Sequence, residues 1–204
     1  YDGMLMKDMD KAIDILKEKI LEDKKIRVIG DYDIDGVNAT YILLEGLERL
    51  GADVDSDIPD RISDGYGLNR HLVERAYEAG VDTLITCDNG IAAADEIAYG
   101  KEMGMTVIVT DHHEVPFDEH DGEKRYRIPP ADAVIDPKQP DCLYPFKGLC
   151  GAAVAYKLME ALWESMGNDS ADLDDLIENV AIATIGDVMD LEDENRIFVK
   201  EGLQ

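Results

Sequence analysis

Histidine is scarce in this chain of 204 residues, with four in all, and tryptophan occurs once. Cysteine is nearly absent too. Cys87, Cys142 and Cys150 are odd in number and lack metal-type spacing, which excludes a disulfide framework. They read as reduced cytoplasmic thiols serving as small buried or half-buried hydrophobes. No run of 18 apolar residues occurs and no charged-then-apolar leader opens the chain, so nothing points to a membrane span or to secretion. Repeats of fixed period and low-complexity tracts are also missing. The 20 basic residues are far outnumbered by 46 acidic ones, for a net charge of −26. A nucleic-acid binder normally shows a basic footprint, and the longest basic stripe here is only Glu123-Lys124-Arg125-Tyr126-Arg127. The acids can be a solvated surface, metal ligands, or the mark of a piece whose nucleic-acid grip lies elsewhere. The first covers most of them, because a metal site uses only a handful.

A hydrophobic share of 45% is enough for a real core. The chain opens at Tyr1 and closes at Gln204, within a helix expected over Asn195 to Leu203, so it reads as a piece of a longer protein. Met9, Ala12, Ile13, Leu16 and Ile20 recur at helical spacing. Strands are expected at 26–30, 54–58, 83–87, 106–110 and 131–135. Helices are expected at 37–50, 69–79 (capped by Asn69) and 92–103. This alternation predicts an α/β fold: a mostly parallel sheet of about five strands with helices on both faces. From residue 148 only helices follow, at 148–165 and about 171–184, so 1–147 reads as the α/β core and 148–204 as a helical extension. Phe117 to Pro130 is polar and Pro-bounded and reads as a surface loop.

Ligands in such sheets bind beyond the carboxyl ends of the strands. There the chain places Asp31, Asp33 and Asp35 after one strand, Asp88 after another, and Asp111-His112-His113 after a third. Three carboxylates in five residues repel one another unless a cation sits among them, and hard oxygen donors suit Mg²⁺ or Mn²⁺. A solvated acidic turn gives the same pattern. Adding two of the four histidines beside these acids favours Mn²⁺. His71, in a helix start, and His120, in the loop, read as ordinary surface residues. Asp88 alone equally fits a cap or turn, and Asp187 an N-cap after Gly186. Gly65-Tyr66-Gly67 suits a phosphate- or metal-proximal loop, or a plain tight turn. Gly148-Leu149-Cys150-Gly151 opens a helix whose start could hold phosphate, though close packing also explains its glycines.

Together these segments resemble the DHH phosphoesterases. Asp111-His112-His113 is the triplet that names them, Gly30-Asp31-Tyr32-Asp33-Ile34-Asp35-Gly36 resembles their first motif, Asp88-Asn89-Gly90 the second and Gly186-Asp187-Val188 the fourth. Ile58 to Leu68 and Pro145 to Gly151 are similar to the RecJ branch in particular, and the resemblance runs from about Met6 to the end. It implies two Mn²⁺ or Mg²⁺ ions bridged by Asp88, with Asp31 and Asp33 completing one site, and Asp35, His112 and Asp187 the other. His113 would face the scissile phosphate, and Gly65, Tyr66, Gly67 and Gly151 would line the substrate's path. Other relatives carry a histidine at the position of Ile29, for which Asp31 stands in here. Asp136-Pro137 occupies the place of an expected Asn-Pro.

The implied activity is cytoplasmic hydrolysis of single-stranded DNA from its 5′ end, with single-strand-binding or other repair proteins as partners. The chain would stop before a DHH-associated domain and an oligonucleotide-binding fold. The rivals are a small-nucleotide phosphodiesterase or pyrophosphatase on the same scaffold, a catalytically silent replication scaffold, and an acidic flavodoxin-like receiver domain.

Overall fold

A computed structural model describes residues 1–204. Its element order is α1 (Met9–Leu21), β1 (Ile26–Ile29), α2 (Ile34–Arg49), β2 (Val54–Asp57), α3 (Arg70–Glu78), β3 (Thr83–Thr86), α4 (Ala94–Glu102), β4 (Thr106–Thr110), β5 (Phe117–His120), β6 (Glu123–Tyr126), β7 (Ala133–Ile135), α5 (Gly151–Ser165), α6 (Ile177–Gly186) and α7 (Asp193–Gly202). Short 3₁₀ turns precede α1 at Gly3–Leu5 and α6 at Ser170–Leu176.

Five strands form one sheet in the order β2-β1-β3-β4-β7, with every pairing parallel. Both faces are covered, so the strands are apolar on alternate and adjacent positions alike. Val28, Ile85 and Ile108 face a core with α1, α2, α5 and α6, while Ile29, Leu84, Val107 and Val109 face a second core with α3 and α4. The strands and the helices after residue 148 share the larger core, including Met159, Leu162 and Val180. Each fully buried aliphatic side chain there contributes about 1.5–3 kcal/mol. The chain leaves β1 towards β2 over one face and leaves β3 towards β4 over the other. The crevice between the ends of β1 and β3 is therefore the topological switch point, where open α/β sheets bind ligands.

Several boundaries differ from expectation. The segment after Val115 is an antiparallel hairpin, not a loop. Asp121 and Gly122 take φ of 51° and 80°, the two-residue turn that Asp-Gly favours, and Phe117 pairs with Tyr126. All eight strand residues are exposed, so no apolar alternation marks the hairpin in the sequence, and His120 sits in β5. Helix α2 begins three residues early because Asp33 caps it, its Oδ1 accepting from Gly36 N at 2.7 Å. Helix α5 begins at Gly151, after an extended Cys150, and the turn before α6 is 3₁₀. Asp187 closes α6 at its C-terminus rather than opening a helix. His71 is exposed in the first turn of α3, and all three cysteines are free and buried.

Candidate metal centre

The carboxyl ends of β1, β3 and β4 deliver the acidic segments to one place. After β1 the chain turns sharply through Asp31-Tyr32-Asp33 into α2. A Cβ on Gly36 would lie 2.6 Å from the Asp31 carbonyl oxygen, so only glycine allows this approach. Asp31 is buried and its Oδ1 accepts from Tyr32 N at 2.8 Å. Asp35 is fully buried. Its two oxygens accept from the first amides of α5, Gly151 N at 2.7 Å and Ala152 N at 2.8 Å. The anion at this helix start is thus a side chain of the protein itself. The Gly151 amide is used by Asp35, and a Cβ there would lie 2.7 Å from the Cβ of Asp88.

Asp88 follows β3 in a left-handed conformation, φ 58°. Neighbouring Asn89 ties down the crevice. Its amide donates to Ile29 O and Cys87 O, and its Oδ1 accepts from Leu68 N. After β4, buried Asp111 organises the two histidines: Oδ1 accepts from His112 N at 2.8 Å and lies 2.6 Å from His113 Nδ1, and Oδ2 accepts from Ile91 N. Buried His112 then points Nε2 among three carboxylates, 2.9 Å from Asp88, 3.3 Å from Asp35 and 3.9 Å from Asp187. One donor atom each from Asp35, His112 and Asp187 falls within a 4.8 Å span, as does one each from Asp88, Asp111, His112 and His113.

A cavity of about 540 Å³ opens beside this cluster, lined by Asp31, Asp33, Tyr66, Gly67, Asp88 and His113 among others. Gly65 does not line it, although its loop neighbours do. No Lys or Arg lines the cavity. Burial pushes the Asp88 carboxyl far above the usual range, and the charges of Asp35 and Asp33 push it further. Asp31 and Asp187 are raised as well, both chiefly by burial. Burial lowers His112, against the pull of Asp35, so its imidazole is neutral at pH 7. The hydrogen bond to Asp111 holds His113 up at about 9, a cation at neutral pH. Burial would raise Asp111, but the contact with His113 and the Ile91 and His112 amides together outweigh it, and the net shift is downward. Fully buried Asp136 is raised to about 7, chiefly by burial with Asp111 adding to it.

A family model for the N-terminal domain of the DHH family matches residues 25–184, most of the chain and all the segments just described except Asp187. The chain belongs to the DHH family. DHH relatives include the single-stranded-DNA-specific exonuclease RecJ of Bacillus subtilis, 43% identical over the whole of this chain, which spans 24% of that relative's length. A crystal structure of exonuclease RecJ bound to manganese superposes with a TM-score of 0.83 at 37% identity, over 97% of this chain and 48% of that one. The manganese complex of RecJ from Thermus thermophilus gives a TM-score of 0.78 at 36% identity, over 97% of this chain and 27% of that one.

Of the residues expected at the site, Asp35, Asp88, His112 and Asp187 converge directly, and Asp31, Asp33, Tyr66, Gly67 and His113 line the adjoining cavity. Sequence reasoning quoted Asp111 and Asn89 without giving either a task. Their burial could have been suspected from their position beside apolar strands, but their hydrogen bonds reach across the sheet and leave no local signal.

Proposed function

We propose that this chain is the metal-holding part of a protein that hydrolyses phosphodiester bonds of single-stranded DNA from the 5′ end, in the cytoplasm, using two Mn²⁺ or Mg²⁺ ions. The single observation that carries the reading is His112 Nε2 set among Asp88, Asp35 and Asp187, beside a cavity whose lining holds no Lys or Arg. Asp31, Asp33, Asp35, Asp88, Asp111 and Asp187 meet only the His113 charge in return, a cost that divalent cations would remove. The donor set also fits, being carboxylate oxygens with one neutral imidazole. Asp88 would bridge two ions, with Asp31 and Asp33 on one and Asp35, His112 and Asp187 on the other. When bound, such ions lower the pKa of a water and neutralise phosphate charge.

The residues of the chain supply the rest. The α5 amides and the ladder of β1 and β3 fix the carboxylates before any ligand arrives, so little reorganisation is needed. His113, half exposed and positively charged, offers its free Nε2 edge to a phosphate oxygen or to the departing oxygen, and Asp111 keeps it charged. Tyr66 and Gly67 also line the cavity. The relatives named as RecJ support single-stranded DNA as substrate. A DHH-associated domain beyond residue 204 would close the groove around the strand. The test is to incubate the full-length protein with single strands labelled at either end and Mn²⁺. Release of short products from the 5′ label first supports the reading, and strands left intact with Mn²⁺ present exclude it.

A further inference from the structure

Asp187 is held differently from its partners. Asp35 takes two helix amides, Asp111 takes backbone and imidazole donors, and Asp88 Oδ1 lies 2.9 Å from His112 Nε2. The Asp187 carboxylate receives no hydrogen bond, lying 3.9 Å from His112 Nε2, and its side chain is 33% exposed. Its backbone is tied to the end of α6, Asp187 N donating to Ala183 O at 2.9 Å, and the aim of its side chain then depends on how that end is held by the segment leading to α7. That segment is strained. Val188 is left-handed at φ 54° although β-branched and exposed, and Asp193 is left-handed at φ 46°. A strained segment persists only where its surroundings over-determine it.

Hydrogen bonds from Val188 N to Ile185 O and from Met189 N to Thr184 O hold its near end, and two adjacent side chains at the start of α7 hold its far end. Glu194 is buried against Lys157 Nζ of α5 at 2.9 Å and accepts from the Tyr144 hydroxyl. Asn195, completely buried, donates from Nδ2 to Gly148 O at 2.9 Å and to Asp190 O at 3.0 Å. One amide thus staples the Asp187 segment, at Asp190, to the turn whose next residues hold Asp35. We infer that Asn195 is a positioning residue that sets Asp187 against His112 and Asp35, and so governs how tightly one of the two ions is held. The inference rests on the two-ion reading above.

The staple is separable from the fold in general. Neither the sheet nor the Asp88–His112 contact involves Asn195, so its loss should weaken one ion and spare the other. Outer hydrogen-bond partners of metal ligands typically change affinity by about 10- to 100-fold when removed.

The experiment titrates Mn²⁺ calorimetrically into wild-type protein, Asn195→Ala and Asn195→Ser, with melting temperatures recorded in chelator. Serine keeps one donor and guards against failure of the alanine variant to fold. The expected result is two ions in the wild type, with the dissociation constant of one raised about tenfold in Asn195→Ala. Asn195→Ser should shift it less, the other ion should stay within twofold, and turnover should recover at saturating Mn²⁺. Two ions in the wild type with both constants unchanged in the variants overturns the role of Asn195 alone. A wild type that takes only one ion overturns the two-ion reading, and this inference with it.

Discussion

Metal binding should be visible as thermal stability, and the acids of the site allow the size and pH dependence to be worked out. Asp31, Asp88 and Asp187 all have raised pKa values in the folded chain, each with burial as the first cause. A carboxyl raised in this way binds its proton more tightly when native. Its contribution to stability is complete below the ordinary aspartate pKa of about 3.9 and is lost as pH rises through the folded value. In chelator, then, the melting temperature should fall as pH rises through and above the ordinary carboxylate range. With Mn²⁺ the trend reverses, because bound cations need ionised carboxylates. Neutral His112 adds no proton competition at pH 7, since burial already lowers it.

One site filled at a hundredfold excess over its Kd contributes about 2.7 kcal/mol, and two contribute about 5 kcal/mol. At about 2–4 °C per kcal/mol for a domain of this size, Mn²⁺ should raise the melting temperature by roughly 5–20 °C at pH 8. The gain should shrink steadily towards pH 5. Calcium, which prefers oxygen donors alone, should give less because His112 offers nitrogen. The assay is a thermal scan of the 204-residue chain from pH 5 to 8 with chelator, Mn²⁺ or Ca²⁺. Superimposable curves in millimolar Mn²⁺ and in chelator at pH 8 would refute the argument and reduce the cluster to surface charge.

Asp88→Asn keeps the shape of the side chain and removes a carboxyl that must take up a proton to be buried without metal, so hydrolysis by the full-length protein should fall at least about a hundredfold while the chelated melting temperature rises; activity assays and a thermal scan check both. His113→Ala should lower turnover about 10- to 100-fold, the loss of one charge-assisted hydrogen bond of about 1.5–3 kcal/mol, and leave Mn²⁺ affinity in calorimetry within a few-fold. Gly151→Ala puts a methyl 2.8 Å from Asp88 Oδ1, so it should cost about 1–3 kcal/mol in denaturant unfolding and weaken Mn²⁺ binding. The chain alone, with net charge −26, should not retain single-stranded DNA in a low-salt mobility shift without metal, where repulsion is least screened.

The sequence by itself determined the periodic elements and the chemical types at their ends. Short β-rich runs such as Ile26 to Ile29 and Thr106 to Thr110, mostly buried, read as strands of a covered sheet, and each leads into its acidic segment. That is why Asp31, Asp33, Asp35, Asp88, His112 and His113 were legible as a site: strand ends in a parallel sheet must share an edge. The hairpin at 117–126 was less legible, because exposed strands need no apolar alternation and only the Asp121-Gly122 turn marks it.

Tertiary structure alone decided which donors serve and which are served. It put the start of α5, 116 residues away, against Asp35, so the Gly151 amide holds a carboxylate of the chain itself. It made Asp111 the holder of both histidines, and it set Asp187 at the end of α6, before a strained segment stapled through Asn195. Hydrogen bonds across the sheet and carboxylate shifts caused by burial depend on what packs above each group. Spacing along the chain carries no record of that, because the neighbours that set it come from distant segments.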